Sequence, residues 1–182
     1  YLMTATFRRD GSSTFPSEKR WGNFPSLGLG WVISQEEFLD NVTAIDFLKL
    51  KASWGILGNN QVPQNVYTVT VDNWGGYSVV FGPFGSSNIR QGASITSLVE
   101  PLLRWEIVEE YDLGIESLML EHRLNVELGL YRRMTRSAIF PVPVIGTAGT
   151  SGNSYLDNNA DILNMGAELS ASWNNAVTDR FS

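Results

Sequence analysis

An all-β fold of about six long antiparallel strands is predicted by three features of the 182 residues. Apolar and polar side chains alternate with a period of two over most of the chain. Helical periodicity is confined to one short stretch. Gly, Asn and Ser gather between the alternating segments, where turns are needed.

Taken in order, Tyr1, Met3, Ala5 and Phe7 oppose Thr4, Thr6 and Arg8, and Leu27, Leu29, Trp31 and Ile33 oppose Ser26, Gly28 and Gly30. A short helix is expected next. Ser34 stands as its cap and Glu37, three residues on, completes a capping box leading into Phe38 and Leu39. Leu48, Leu50, Ala52, Trp54 and Ile56 then alternate with Lys49, Lys51, Ser53 and Gly55. Ile107, Tyr111, Leu113 and Ile115 form the next apolar face, against Glu110, Asp112, Gly114 and Glu116. Leu124, Val126, Leu128 and Leu130 oppose Asn125, Glu127, Gly129 and Tyr131; Ala167, Leu169, Ala171 and Trp173 oppose Glu168, Ser170 and Ser172.

The connections fall at roughly 10–22, 34–46, 59–106, 118–123 and 136–161. The third and fifth are long and rich in Gly, Asn, Ser and aromatics, as functional loops tend to be. Inside the third, Tyr67–Val71 and Tyr77–Phe81 are expected to pair as a hairpin around Asn73-Trp74-Gly75-Gly76. The fourth is a tight turn carrying His122, expected to be exposed.

Composition narrows the chemistry. The net charge is −6, which disfavours a nucleic-acid surface, since such modules carry a basic stripe. Without cysteine there is no disulfide, thiolate metal site or cysteine nucleophile; a single histidine leaves little room for a catalytic triad. No apolar run approaches the ~18 residues of a spanning helix. The longest, Ala138–Ile145, is interrupted by Pro141 and Pro143. The chain begins at Tyr1 with no visible signal peptide, so a piece of a longer protein is expected.

Alternation alone leaves two architectures open, a soluble sandwich and a membrane barrel, which put the apolar face in opposite places. Strand length separates them. About nine residues per strand suits the ~9–11 of a tilted membrane strand better than the ~5–6 typical of soluble sheets. Trp21, Phe24, Trp31, Trp54, Trp105, Tyr111 and Trp173 lie near inferred strand ends, where barrels carry aromatic girdles. The apolar faces carry charge only at Arg9, Glu109 and Arg132, toward the ends bearing the long loops. That placement avoids the ~2–4 kcal/mol cost of a basic residue at mid-membrane. The fold class predicted is an antiparallel transmembrane β-barrel segment.

An ordered set of motifs adds a family. RRDGSSTF (Arg8 to Phe15), WGNFPSLGLGW (Trp21 to Trp31), ISQEEF (Ile33 to Phe38) and FLKLKASWGILGN (Phe47 to Asn59) come first. Trp105-Glu106, YDLGIE (Tyr111 to Glu116) and NMGAEL (Asn164 to Leu169) follow. The set resembles the SusC/RagA family of TonB-linked outer-membrane proteins of the Bacteroidetes. The resemblance implies that residues 1–182 are an internal part of the transporter's barrel domain, with plug, TonB box and closing strands outside this chain. It further implies TonB-dependent import of large nutrients, oligosaccharides or peptides, across the outer membrane of a Gram-negative bacterium. Implied partners are a SusD-like surface lipoprotein as lid, the TonB complex through the missing amino-terminal part, and outer-membrane lipid. No cofactor and no nucleic acid are implied.

Candidate ligand- or lid-contact residues lie in the long loops: Trp74, Tyr77, Phe81 and Phe84 beside glycines, and Tyr155, Asp157 and Asn158. Aromatics next to amides and carboxylates stack on sugar rings or pack on a partner protein; packing of loop on loop uses the same residues. The oxygen-rich run through Asp161 matches no EF-hand spacing, so no metal is assigned. Gly146–Gly152 lacks the lysine of a phosphate loop, and no catalytic residues are assigned. Two other functions fit the alternation: a soluble carbohydrate-binding β-sandwich, and a passive porin.

Overall fold

The computed structural model describes residues 1–175 apart from 41, 65, 74–78, 81, 84, 86–88 and 151–153. Six long strands form one sheet: β1 (Leu2–Gly11), β2 (Trp21–Val32), β3 (Ile45–Asn59), then, after four two-residue strands, β8 (Glu106–Met119), β9 (Leu124–Pro143) and β10 (Ser154–Trp173). The short ones are β4 (Val71–Asp72), β5 (Val79–Val80), β6 (Ile89–Arg90) and β7 (Ser94–Ile95). The sheet order β1-β2-β3-β8-β9-β10 follows the chain, and every neighbouring pair is antiparallel. This is an up-and-down meander, the topology of a barrel wall, without the crossovers of a Greek-key sandwich. Among the described residues there is no α-helix.

Up-and-down order sorts the connections by end. The β1–β2, β3–β8 and β9–β10 connections leave from one end of the sheet; the β2–β3 and β8–β9 connections leave from the other. The tight turn at the second end holds Leu120, Glu121 and His122 at positive φ of 59, 59 and 63°. Such conformations are costly for L-residues. They are braced by the Asp46 carboxylate, which accepts the His122 backbone N–H at 2.9 Å and lies 3.4 Å from the exposed imidazole.

Four expectations are corrected. The capping-box helix is two 3-10 turns, Ile33–Gln35 and Glu37–Leu39, and no side chain caps either. Trp31 explains part of this, because its indole N–H donates to Glu36 at 2.8 Å and holds that segment against the sheet. The hairpin expected within the longest loop pairs differently: Val71–Asp72 joins Ser94–Ile95, and Val79–Val80 joins Ile89–Arg90. The turn proposed for it, at Trp74–Gly76, lies outside the described residues. The loop expected at 136–161 is mostly strand. β9 continues through Pro141 and Pro143 because its β8 partner has already ended at the Ile107–Arg136 pair. Proline is tolerated on a strand with one free side, where its missing N–H breaks no ladder.

The fourth correction concerns aromatics. Trp105 and Phe24 are not girdle residues: they are 7% and 3% exposed and, with fully buried Phe15 and Leu103, form a core at the long-loop end. Trp105 meets Phe15 at 5.3 Å and Phe24 edge-on at 5.4 Å, favourable aromatic geometries. Its indole N–H donates to the Arg20 carbonyl at 3.0 Å. A Cβ at Gly58 would come within 2.2 Å of the Phe24 ring, so only glycine admits this packing.

Candidate functional site: a wall with one wet and one apolar face

Register places the alternating residues of all six strands on common faces. One row runs Leu27, Trp54, Tyr111, Arg132, Met165; another runs Leu29, Ala52, Leu113, Leu130, Ala167. The apolar face is therefore continuous, and it is bare. Leu29, Leu113, Leu130 and Leu169 all leave large parts of their surface exposed, Leu169 as much as 73%. A bare apolar surface spanning a whole sheet requires a covering phase. Ser117 on this face is satisfied internally, its hydroxyl donating to the Val126 carbonyl at 3.1 Å, as lipid contact demands.

The opposite face is a lattice of charge. Glu116 lies 3.4 Å from Lys49 and also pairs with Lys51 across the β3–β8 ladder. Ser53 donates to Asp112 at 3.2 Å, and Arg133 reaches Glu110 at 2.7 Å. These groups are partly exposed, so they read as water-facing pairs rather than a buried network. Between them Gly30, Gly114 and Gly129 occupy one row with Lys51 and Glu168, forming the floor of a shallow trough. The Lys51 stem crosses directly over Gly114, where a Cβ would come within 2.6 Å of Lys51 Cε.

The tilt can be read from the aromatics at the short-turn end. Tyr1 stacks on Trp31 at 6.0 Å. From the row of Trp31 on β2 to Trp173 on β10, the aromatic line drops four residues while crossing four strand spacings. With ~3.3 Å per residue and ~4.8 Å between strands, the slope is about 35°. That lies within the tilt of membrane barrels, ~35–45°. Trp21, ten residues above Trp31 on the same strand, sits about 27 Å higher along the barrel axis, close to the ~25 Å apolar band of such walls. Trp54 and Tyr111 fall between the two lines, and their polar ends do not go unpaired. Both donate to Glu109, at 3.3 and 2.9 Å, and Arg136 balances that carboxylate at 3.3 Å.

Of the loop residues proposed for contact, Trp74, Tyr77, Phe81 and Phe84 lie outside the described residues. Tyr155, Asp157 and Asn158 lie on β10, not in a loop. Leu156 packs on the buried core, so Tyr155 and Asp157 take the other face of the strand. Asn158 is a staple. Its Oδ1 accepts the Arg104 N–H at 2.8 Å while its Nδ2 donates to the carbonyls of Arg104 at 3.0 Å and Ser137 at 2.7 Å. It pins the chain entering β8 to a β9 bulge where Ser137 stands at φ 55°. Sequence reasoning missed this role because the bulge, which supplies the second carbonyl, has no glycine to mark it.

A continuous two-faced meander at this tilt defines a segment of transmembrane β-barrel. The comparisons specify which: all of residues 1–182 match the family model described as TonB dependent receptor-like, beta-barrel, and the chain belongs to that family. It is 32% identical over 182 residues to TonB-dependent receptor P39 of Formosa agariphila, and 32% over 188 residues to TonB-dependent receptor SusC of Bacteroides thetaiotaomicron. Each match covers 100% of this chain and only 16% and 18% of those relatives, so the chain spans about a sixth of their length. Among solved structures, the RagAB peptide transporter superposes with a TM-score of 0.76 at 25% identity, over 93% of this chain and 17% of that one. These relatives agree with the SusC/RagA resemblance carried by the motifs.

Proposed function

We propose that the full-length protein is an outer-membrane, TonB-dependent importer of large nutrients in a Gram-negative bacterium, and that residues 1–182 form part of its barrel wall and extracellular loops. The observation that carries this reading is the sheet itself, apolar and bare on one side and charged on the other, in a chain matching the receptor barrel over its whole length. Six strands cannot close around a wide lumen, so the wall is completed by segments beyond this chain. The substrate class is oligosaccharide or peptide; the family resemblance supports both, and the RagAB relative is a peptide transporter.

In this reading the wall performs no bond chemistry. Its polar face keeps the lumen wet, and its loop end presents Tyr155, Asp157 and the aromatics Trp74, Tyr77, Phe81 and Phe84 to ligand or to a SusD-like lipoprotein lid. Energy enters through the TonB complex and the part of the protein that precedes this barrel segment. The test is deletion of the full-length gene, with uptake of labelled oligosaccharides and peptides by whole cells. The expected result is loss of uptake for one of those classes, reproduced by dissipating the inner-membrane proton gradient. Uptake that survives such dissipation indicates a passive pore, and unchanged uptake of every probe contradicts the proposal.

A further inference from the structure

We propose that Arg132 binds the phosphate of an anionic membrane lipid whose acyl chain lies in the adjoining groove of the outer wall. The inference rests on the reading that the apolar face meets lipid, and it begins with one cation that has no partner. On that face, toward the long-loop end, four charged residues gather: Glu109, Arg132, Arg136 and Asp161, whose Oδ1 accepts the Ser137 N–H at 3.0 Å. Arg136 neutralises Glu109, and the remaining valences of that carboxylate are taken by Trp54 and Tyr111. Arg132, opposite Tyr111 in the register, has no carboxylate or hydrogen-bond partner among the described residues. Arg132 is therefore a cation without an ion-pair partner on a largely apolar surface.

Depth decides what neutralises it. Arg132 lies seven residues above the lower aromatic line as that line crosses β9, which puts its Cα about 19 Å up and about 8 Å below Trp21. An arginine side chain nearly spans that gap, so the guanidinium snorkels to headgroup level while its stem stays in the apolar band. A carboxylate from another protein would have to be desolvated at this depth; a phosphate on a lipid is delivered there by its own chains. Guanidinium also matches phosphate in bidentate geometry. Below it, Leu27, Leu29, Trp54, Leu113 and Leu130 line an apolar groove with Arg132 at its edge. Groove and cation together fit one lipid, headgroup upward. Arg9, at the same height on β1, differs in being stacked on Trp21 at 5.1 Å.

The experiment uses full-length protein purified in a non-ionic detergent, titrated with dioleoyl phosphatidylglycerol and with dioleoyl phosphatidylcholine, and read by native mass spectrometry. Wild type is expected to prefer phosphatidylglycerol. Arg132→Gln should lose about fivefold in affinity for that lipid, the effect of one basic residue near a membrane surface, with phosphatidylcholine binding unchanged. Arg132→Lys should keep most of the preference. Arg133→Gln, one residue along and facing the lumen, should change it by less than about twofold. The inference is overturned if wild type shows no preference, if Arg132→Gln binds as wild type does, or if Arg133→Gln loses as much. Recovery of the protein without detergent would remove the membrane reading itself; a detergent-requiring protein indifferent to Arg132→Gln removes only the lipid site.

Discussion

At the long-loop end, Phe15, Phe24, Leu103 and Trp105 pack as the interior of a soluble protein does, with almost no surface left to solvent. Lower on the wall, Leu113, Ile115, Leu128 and Leu130 have equally apolar side chains and no such shelter. The difference lies in who supplies the burial. The loop end brings Phe15, Val62, Val66 and Leu103 against Phe24 and Trp105 and makes its own core. The wall is one layer thick and is held by its hydrogen-bond ladder, its covering on one side being lipid and on the other water. Stability is thus built by packing at one end and by the surroundings at the other, and the same kind of substitution has different consequences in each place.

The largest effect belongs to the packed end. Trp105→Ala should cost about 3–5 kcal/mol there, the range for a buried aromatic. In the full-length protein it should appear as faster amide exchange around Ser12 and Asn60, with the lower wall unchanged; equal exchange throughout would erase the distinction between the regions. Next comes the bare face. Leu130→Arg, at mid-height, should destabilise the protein folded in a bilayer by about 2–4 kcal/mol, measured by urea unfolding in lipid vesicles. A near-neutral result would place that face in water. Asn158→Ala should follow at about 1–3 kcal/mol, since it leaves the Arg104 N–H and the carbonyls of Arg104 and Ser137 without the partner they have now. Local proteolysis near Arg104 would report it.

Smallest is the lumen lattice. Glu116→Gln should cost about 1 kcal/mol or less, because Lys49 and Lys51 remain hydrated. If that face were instead the dry interior of a sandwich, losing the carboxylate between two lysines would cost about 3–5 kcal/mol. One variant therefore sharpens the choice between the two architectures that share this alternation.

Much of the wall was legible because its physics is local. A period of two survives as long as each strand keeps one face to lipid, so Leu50, Ala52 and Trp54 announce their side without reference to any neighbour. What could not be read depends on distant partners. Trp105 and Phe24 have the spacing of girdle residues, and only the return of the long loop onto Phe15 buries them. Pro141 and Pro143 look like the end of a strand until β8 is seen to have stopped short of them. Asn158 has the composition of a ligand contact, but its amide is spent on Arg104 and Ser137, 54 and 21 residues away in sequence. Ser34 and Glu37 have the spacing of a helix cap, and the pairing of Trp31 with Glu36 holds that segment in 3-10 turns instead.

The central claim is that adjacent residues of one strand face different solvents, and labelling tests it most directly. Single cysteines can be placed in turn at Val126, Glu127, Leu128, Gly129 and Leu130 of the full-length protein, freed of any cysteine outside these 182 residues, which contain none, and studied in lipid vesicles. Spin labels attached there are read for accessibility to oxygen and to a water-soluble nickel chelate. The account predicts a strict alternation, with oxygen dominant at 126, 128 and 130 and nickel dominant at 127 and 129. Uniform nickel access, or protection of the even positions from both quenchers, would contradict it.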